Sequence, residues 1–178
     1  MKKVIVFLII VMSLTGCNFS NTPSSTVQRY LDNYINLSDD VIMDIETTVA
    51  SEELSNDNKN NYKKVITNQY ENMKYEIKDE SINANEAVVL VKITVVDLYK
   101  VEKDSQEYLN EHYDEFVSND MFDKNIFNTY RISNMLKAND TIDYEINFKL
   151  TKKDGEWTMD KVDKDTLEKI HGLYNYDK

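Results

Sequence analysis

"TIDYEINFKLTKKDGEWTMDKV", residues 141–162, carries the clearest structural signal in the chain. Ile142, Tyr144, Ile146, Phe148 and Leu150 alternate with Asp143, Glu145, Asn147 and Lys149 without a fault. A period of two belongs to a strand with one face buried and the other in water. Lys152-Lys153-Asp154-Gly155 then supplies a hairpin signal, and Glu156 to Val162 is expected to return as a strand with Trp157 and Met159 inward. The stretch therefore predicts an antiparallel sheet with one covered face, and the cover has to come from the rest of the chain.

Upstream, the period is helical. Ser25-x-x-Gln28 fits a capping box, and Val27, Tyr30, Leu31, Tyr34 and Ile35 follow at three- and four-residue steps. These predict a helix over 26–37. Val41, Ile42, Ile45 and Val49 predict a second, closing near the polar "SNDNKNN" at 55–61, and Tyr62, Val65, Ile66, Gln69, Tyr70 and Met73 a third. The period then shortens. Tyr75 and Ile77 alternate with charged residues, "INANEA" at 82–87 marks a turn, and Ala87 to Tyr99 forms a long β-branched strand. Asp97 breaks that strand's alternation by one residue, which predicts a β-bulge near Val95–Val96. Residues 101–140 hold Tyr108, Leu109, His112, Tyr113, Phe116 and Val117 at helical spacing, then Ile126, Phe127, Tyr130, Met135 and Leu136. They predict two helices inserted between the second and third strands, and Asp165 to Tyr174 a closing helix. The fold class is α+β: N-terminal helices packed on a curved antiparallel sheet of about four strands, with the insertion at 101–140.

The first 25 residues follow another logic. Lys2 and Lys3 precede an eleven-residue uncharged run, Val4 to Leu14, which as a helix spans roughly 16 Å, about half of a ~30 Å hydrocarbon core. That is a removable leader rather than a permanent span. Leu14-Thr15-Gly16-Cys17 resembles the bacterial lipobox, a leucine, two small residues and an obligatory cysteine. The resemblance implies a signal peptide over 1–16, a diacylglyceryl group on the thiol of Cys17, a polar tether over 17–25 and a single domain over 26–178. Two acyl chains suffice for stable anchoring. The implied location is the outer face of the cell membrane.

Composition excludes several functions. The formal charge is −11, and about −13 once Lys2 and Lys3 leave with the leader, which repels nucleic acid and anionic headgroups. One cysteine excludes an internal disulfide, and two histidines argue against a transition-metal site. Asp160-x-x-Asp163-x-Asp165 lacks the glycine and bidentate glutamate of a calcium loop, and no glycine-rich phosphate loop is present. No cofactor is expected.

The order of elements from 26 to 162, and the texture of "KLTKKDGEWTMDKV", resemble the nuclear transport factor 2-like (SnoaL-like, cystatin-like) fold. In particular they are similar to the small lipoproteins of low-GC Gram-positive bacteria that carry it. The insertion at 101–140 departs from that family's minimal pattern. Some members are isomerases or cyclases whose pocket holds an Asp base and a Tyr donor. The residues of this chain that could enter such a pocket are Tyr30 and Tyr34 on the first helix, Asp97 at the end of the long strand, and His112 on the insertion. Each also has a plainer reading: core packing for the tyrosines, a strand-end charge for Asp97 and a half-exposed ring for His112. His171, before Gly172 at a helix end, suits a cationic cap. The expected function is a non-catalytic, membrane-tethered domain that binds a peptide, a small apolar molecule or an envelope protein. One form of it is immunity against cationic peptides. The alternative is an extracytoplasmic enzyme that uses a pocket Asp/Tyr pair.

Overall fold

The computed structural model describes residues 21–178. The leader, the lipobox and Cys17 lie outside the described residues. Helix α1 runs from Pro23 to Ile35, α2 from Asp39 to Ser51 and α3 from Asn56 to Glu71. Strands β1 (Lys74–Asn83) and β2 (Glu86–Val96) follow. The insertion comprises α4 (Leu98–Glu111), a 3-10 turn (Tyr113–Phe116), two short strands β3 (Val117–Ser118) and β4 (Met121–Phe122), and α5 (Lys124–Lys137). Strands β5 (Thr141–Lys153) and β6 (Glu156–Met159) and helix α6 (Lys164–Ile170) complete the chain.

The main sheet has the order β1-β2-β5-β6 with every neighbour antiparallel. Its middle pair matches Val89 with Phe148, Val91 with Ile146 and Ile93 with Tyr144. All six side chains are buried, along with Ala87, Val95 and Leu150. Val27 and Leu31 of α1, Tyr70 of α3 and Ile170 of α6 close over this face, and Val41, Ile45 and Val49 of α2, packed on α3, extend the same core. Each such aliphatic side chain contributes about 1.5–3 kcal/mol on burial. The opposite face carries Asp143, Glu145, Asn147 and Lys149 into solvent, with Lys92 paired to Asp143 at 2.7 Å.

Several boundaries differ from the sequence expectation, each for a local reason. Helix α1 starts three residues before 26 because Thr22, not Ser25, is its N-cap. Thr22 Oγ1 accepts from the Ser25 amide at 3.1 Å, and Ser25 Oγ accepts from the Thr22 amide at 3.0 Å. Pro23 takes the first helical position, where its fixed φ fits and its missing N–H costs nothing. The expected tether thus gives up Pro23, Ser24 and Ser25 to the helix. Residues 55–61 do not close α2. Ser55 caps α3, and Asn58 is buried against α5. The bulge lies in β1 between Ile77 and Asp79, while β2 pairs with β5 in unbroken register to Val96. Asp97 breaks the alternation because the strand ends there and α4 begins. Strand β6 stops at Met159 rather than Val162, and α6 at Ile170 rather than Tyr174. The 152–155 hairpin forms as expected, with Asp154 and Gly155 both at positive φ, +51° and +87°.

Candidate functional site

The insertion is bound to the body of the domain at its root. Asp97 Oδ1 caps α4 by accepting from the Lys100 amide at 3.0 Å, and the Asp97 amide donates to Asp140 O at 2.9 Å. The two ends of the excursion are thereby tied together, and Lys100 pairs with Asp140 at 2.6 Å. Farther along, Arg131 on α5 reaches Glu102 on α4 at 2.7 Å. Asn58 of α3 donates to Asn125 Oδ1 at 3.0 Å and to Thr129 Oγ1 at 3.1 Å on α5. Beneath these contacts Val65, Leu98, Ile132 and Met135 form a second small core. The excursion is therefore a packed three-helix layer with α3, not a loose appendage.

At the far end the side chains become aromatic. Phe116 is 2 % exposed and is ringed by Tyr108, Phe127 and Tyr130 at centroid distances of 6.2, 5.4 and 5.5 Å. Tyr108 stacks on Tyr130 at 4.8 Å and on His112 at 4.1 Å. Above this knot, β3 and β4 turn through Asn119 and Asp120, both at positive φ. The small hairpin escapes the helical-period reading. Its only signal is the Asn-Asp pair, a residue combination that tolerates left-handed backbone in a two-residue turn. The hairpin leaves Met121 70 %, Tyr113 50 %, Phe122 40 % and Ile126 39 % exposed, with the Tyr113 and Phe122 rings stacked at 5.9 Å. From Glu102 to Asp123 the chain carries eight Asp/Glu and a single Lys. Exposed apolar side chains of this kind on a surface are a feature of contact sites.

The four pocket candidates do not converge. Tyr30 and Tyr34 meet each other, Oη to Oη at 3.2 Å, and pack edge-on against Phe148 and Tyr70. Burial pushes both phenols above the usual tyrosine range, Tyr30 the further of the two. Asp97 lies at the other end of the sheet, roughly 25 Å from Phe148 along β5. It is 8 % exposed and both its oxygens are engaged, one by the α4 cap and one by Tyr176 Oη at 3.0 Å. His112 is not on the apolar stripe of a helix but is the C-cap of α4, with Nδ1 3.7 Å from Glu115 Oε1. An Asp/Tyr pair does form, as Asp97 with Tyr176, a partner that a C-terminal tail hides from any local sequence pattern.

His171 corrects a further expectation. It caps α6, but burial lowers its pKa and so disfavours the cationic form that would complement the helix dipole. It packs 5.8 Å from Tyr70 in a cleft of about 260 Å³ that also contacts Tyr34 and Asp44. An unfolded histidine gains its proton near pH 6.5, and the folded chain resists that gain. Stability contributed by His171 is therefore complete above that pH and is lost as the pH falls below it. His171→Phe is expected to flatten the fall in the urea midpoint between about pH 7.5 and 5.5. An unchanged slope would assign that fall to other groups.

Asp163 caps α6 by accepting from the Thr166 amide at 2.7 Å, and Asp160 accepts from Thr151 at 2.8 Å, so both serve local structure. No group of three or more potential metal ligands gathers among the described residues. No described helix is long and apolar enough to cross a membrane.

No family model and no curated protein matches the chain. A crystal structure of YcdA from Bacillus subtilis, described as a lipoprotein, aligns over 83% of this chain and 46% of its own, at 16% identity and a TM-score of 0.43. The chain thus spans less than half the length of that protein.

Proposed function

We propose that the chain is a lipid-anchored domain on the outer face of the cell membrane that takes up cationic amphipathic peptides at the end of its insertion. The observation that carries this reading is the exposed group Tyr113, Met121, Phe122 and Ile126 in a stretch with eight carboxylates and one lysine. The carboxylates steer a cationic peptide toward the surface, and the apolar side chains give its hydrophobic face a place to bury. The anchor rests on Leu14-Thr15-Gly16-Cys17 and on the short run that precedes it. A short tether holds the domain where membrane-directed peptides concentrate.

Two measurements test the two halves separately. Cys17→Ala is expected to move the chain from the membrane to the soluble fraction, or to leave it as uncleaved precursor. Normal cleavage with unchanged partitioning would remove the anchor from the proposal. For the surface, the probe is a Lys/Leu amphipathic helical peptide titrated into the mature chain. Met121→Ser combined with Phe122→Ser is expected to weaken binding at least tenfold, or about 1.4 kcal/mol. Raising the salt from about 0.05 to 0.5 M is expected to weaken it further, because the Debye length shortens. Equal affinity in wild type and variant would defeat the assignment of the site.

A further inference from the structure

A second concavity lies where β1 begins and β2 ends, at the last turn of α5, whose earlier turns carry Phe127 and Tyr130 of the aromatic knot. It encloses about 390 Å³ between the last turns of α3 and α5 and the start of β5. Val65, Leu98, Met135 and Leu136 form an apolar floor, and Asn68, Lys74, Asn139 and Thr141 line the rim.

The shape has a local cause. Strand β1 reaches back along β2 only to the Lys74–Thr94 pair, so the backbone of Val96 has no strand beside it on that edge. Gln69 fills the vacancy: Nε2 donates to Val96 O and Oε1 accepts from the Val96 amide, both at 3.1 Å. A strand cannot add there, and the concavity remains as a bounded cleft rather than an open sheet edge.

Its charge is the reverse of the protein's. The chain carries 32 Asp/Glu, yet no carboxylate lines this cleft. Neighbouring acids turn to other partners: Asp140 to Lys100, Asp143 to Lys92 and Glu76 to Lys78. Lys74 has no acidic side chain within ion-pair distance. Its ammonium is a free donor beside an apolar floor. Among the described residues, the side chains of Asn68, Asn139 and Thr141 have no hydrogen-bond partner. The last turn of α5 ends at the rim, where a helix terminus leaves carbonyl oxygens without intrahelical partners.

We infer that this cleft binds the carboxy-terminal end of a short peptide: Lys74 takes the terminal carboxylate, the Asn and Thr side chains and the α5 carbonyls take the peptide amides, and the floor takes an aliphatic last side chain. The three demands select one chemistry. A simple fatty acid leaves the amide-binding rim unused, and a cationic peptide places its charge against Lys74. The volume lies within the range of small-ligand sites.

The test is isothermal titration of the mature chain with N-acetyl-alanyl-leucine as the free acid and as its C-terminal amide. The acid is expected to bind at least tenfold more tightly than the amide, since a charge-assisted hydrogen bond is lost with the carboxylate. Lys74→Met, at an exposed position, is expected to bring the acid down to the amide's affinity. Asn139→Leu is expected to weaken both probes. The hairpin variant with Met121 and Phe122 replaced by serine is expected to bind the acid as wild type does, so failure at the insertion and failure here are separable. Absence of binding by the acid at millimolar concentration, or an acid-to-amide ratio unchanged by Lys74→Met, would overturn the inference.

Discussion

Gly172→Ala is expected to lower the unfolding free energy by about 3 kcal/mol or more, from strain and broken hydrogen bonds together. Gly172 follows the α6 cap with φ of +70°, and a Cβ built there would lie 2.2 Å from both Gln69 Nε2 and Val96 O. Neither atom can retreat cheaply. Gln69 is 2 % exposed and its carboxamide is held by both polar groups of Val96, while Val96 O belongs to the sheet backbone. Gly172 O also accepts from the Tyr99 amide at 2.8 Å, so the tail is fastened to the first turn of α4 at the same point. Left-handed backbone costs an alanine about 1–2 kcal/mol by itself. Displacing Gln69 strands a buried donor and acceptor, at about 1–3 kcal/mol each. Urea unfolding by circular dichroism reads the sum. A loss under about 1 kcal/mol would mean that the tail moves aside and that the three-way contact is not a constraint. Gln69→Leu provides the complementary check, since it removes the carboxamide while leaving Gly172 intact.

Phe116→Ala is expected to cost about 3–5 kcal/mol, the usual range for an aromatic deleted from a packed interior. Phe116 is the hub on which Tyr108, Phe127 and Tyr130 converge. Its backbone carbonyl accepts from the Asp123 amide at 2.7 Å, so it also closes the hairpin that carries Met121 and Phe122. The main core, built on β2 and β5, does not include it. Hydrogen exchange should therefore show protection lost first in 108–130, with amides of β2 and β5 retaining more. Binding of the Lys/Leu peptide is expected to fall with the hairpin. Uniform loss of protection across both cores would show that the insertion and the sheet unfold as one unit.

These two variants fall on either side of what the sequence made legible. The alternation at 141–151 predicted β5 and its buried face, residue for residue, because side-chain period follows from backbone geometry alone. The N-terminal helices and the 152–155 turn were legible for the same reason, their signals lying within a few residues. The misreadings came where a residue's role depends on a distant partner. Asp97 looked like a misplaced strand residue, yet it is a helix cap that bonds a tyrosine 79 residues away. Asn58 sat in a stretch polar enough to suggest a loop, yet it is buried because Asn125, 67 residues on, meets its amide. His171 looked like a surface cation until the packing of Tyr70 and the α2–α3 helices enclosed it. Of the four pocket candidates, only Tyr30 and Tyr34 come together, at a spacing of four that the helix itself dictates.

The sequence by itself determined the fold class, the inward face of each long strand and the position of the excursion between β2 and β5. It also determined the overall acidity that bears on any partner. Only the tertiary structure decided where polar side chains are used up and where they are left free. Whether an amide or ammonium finds a partner depends on elements far apart in the chain. Gln69 spends its carboxamide on Val96, 27 residues away, while Lys74, five residues after it, has no acidic side chain within ion-pair distance. Periodicity is a property of the local backbone, but hydrogen-bond satisfaction is a property of the docked whole.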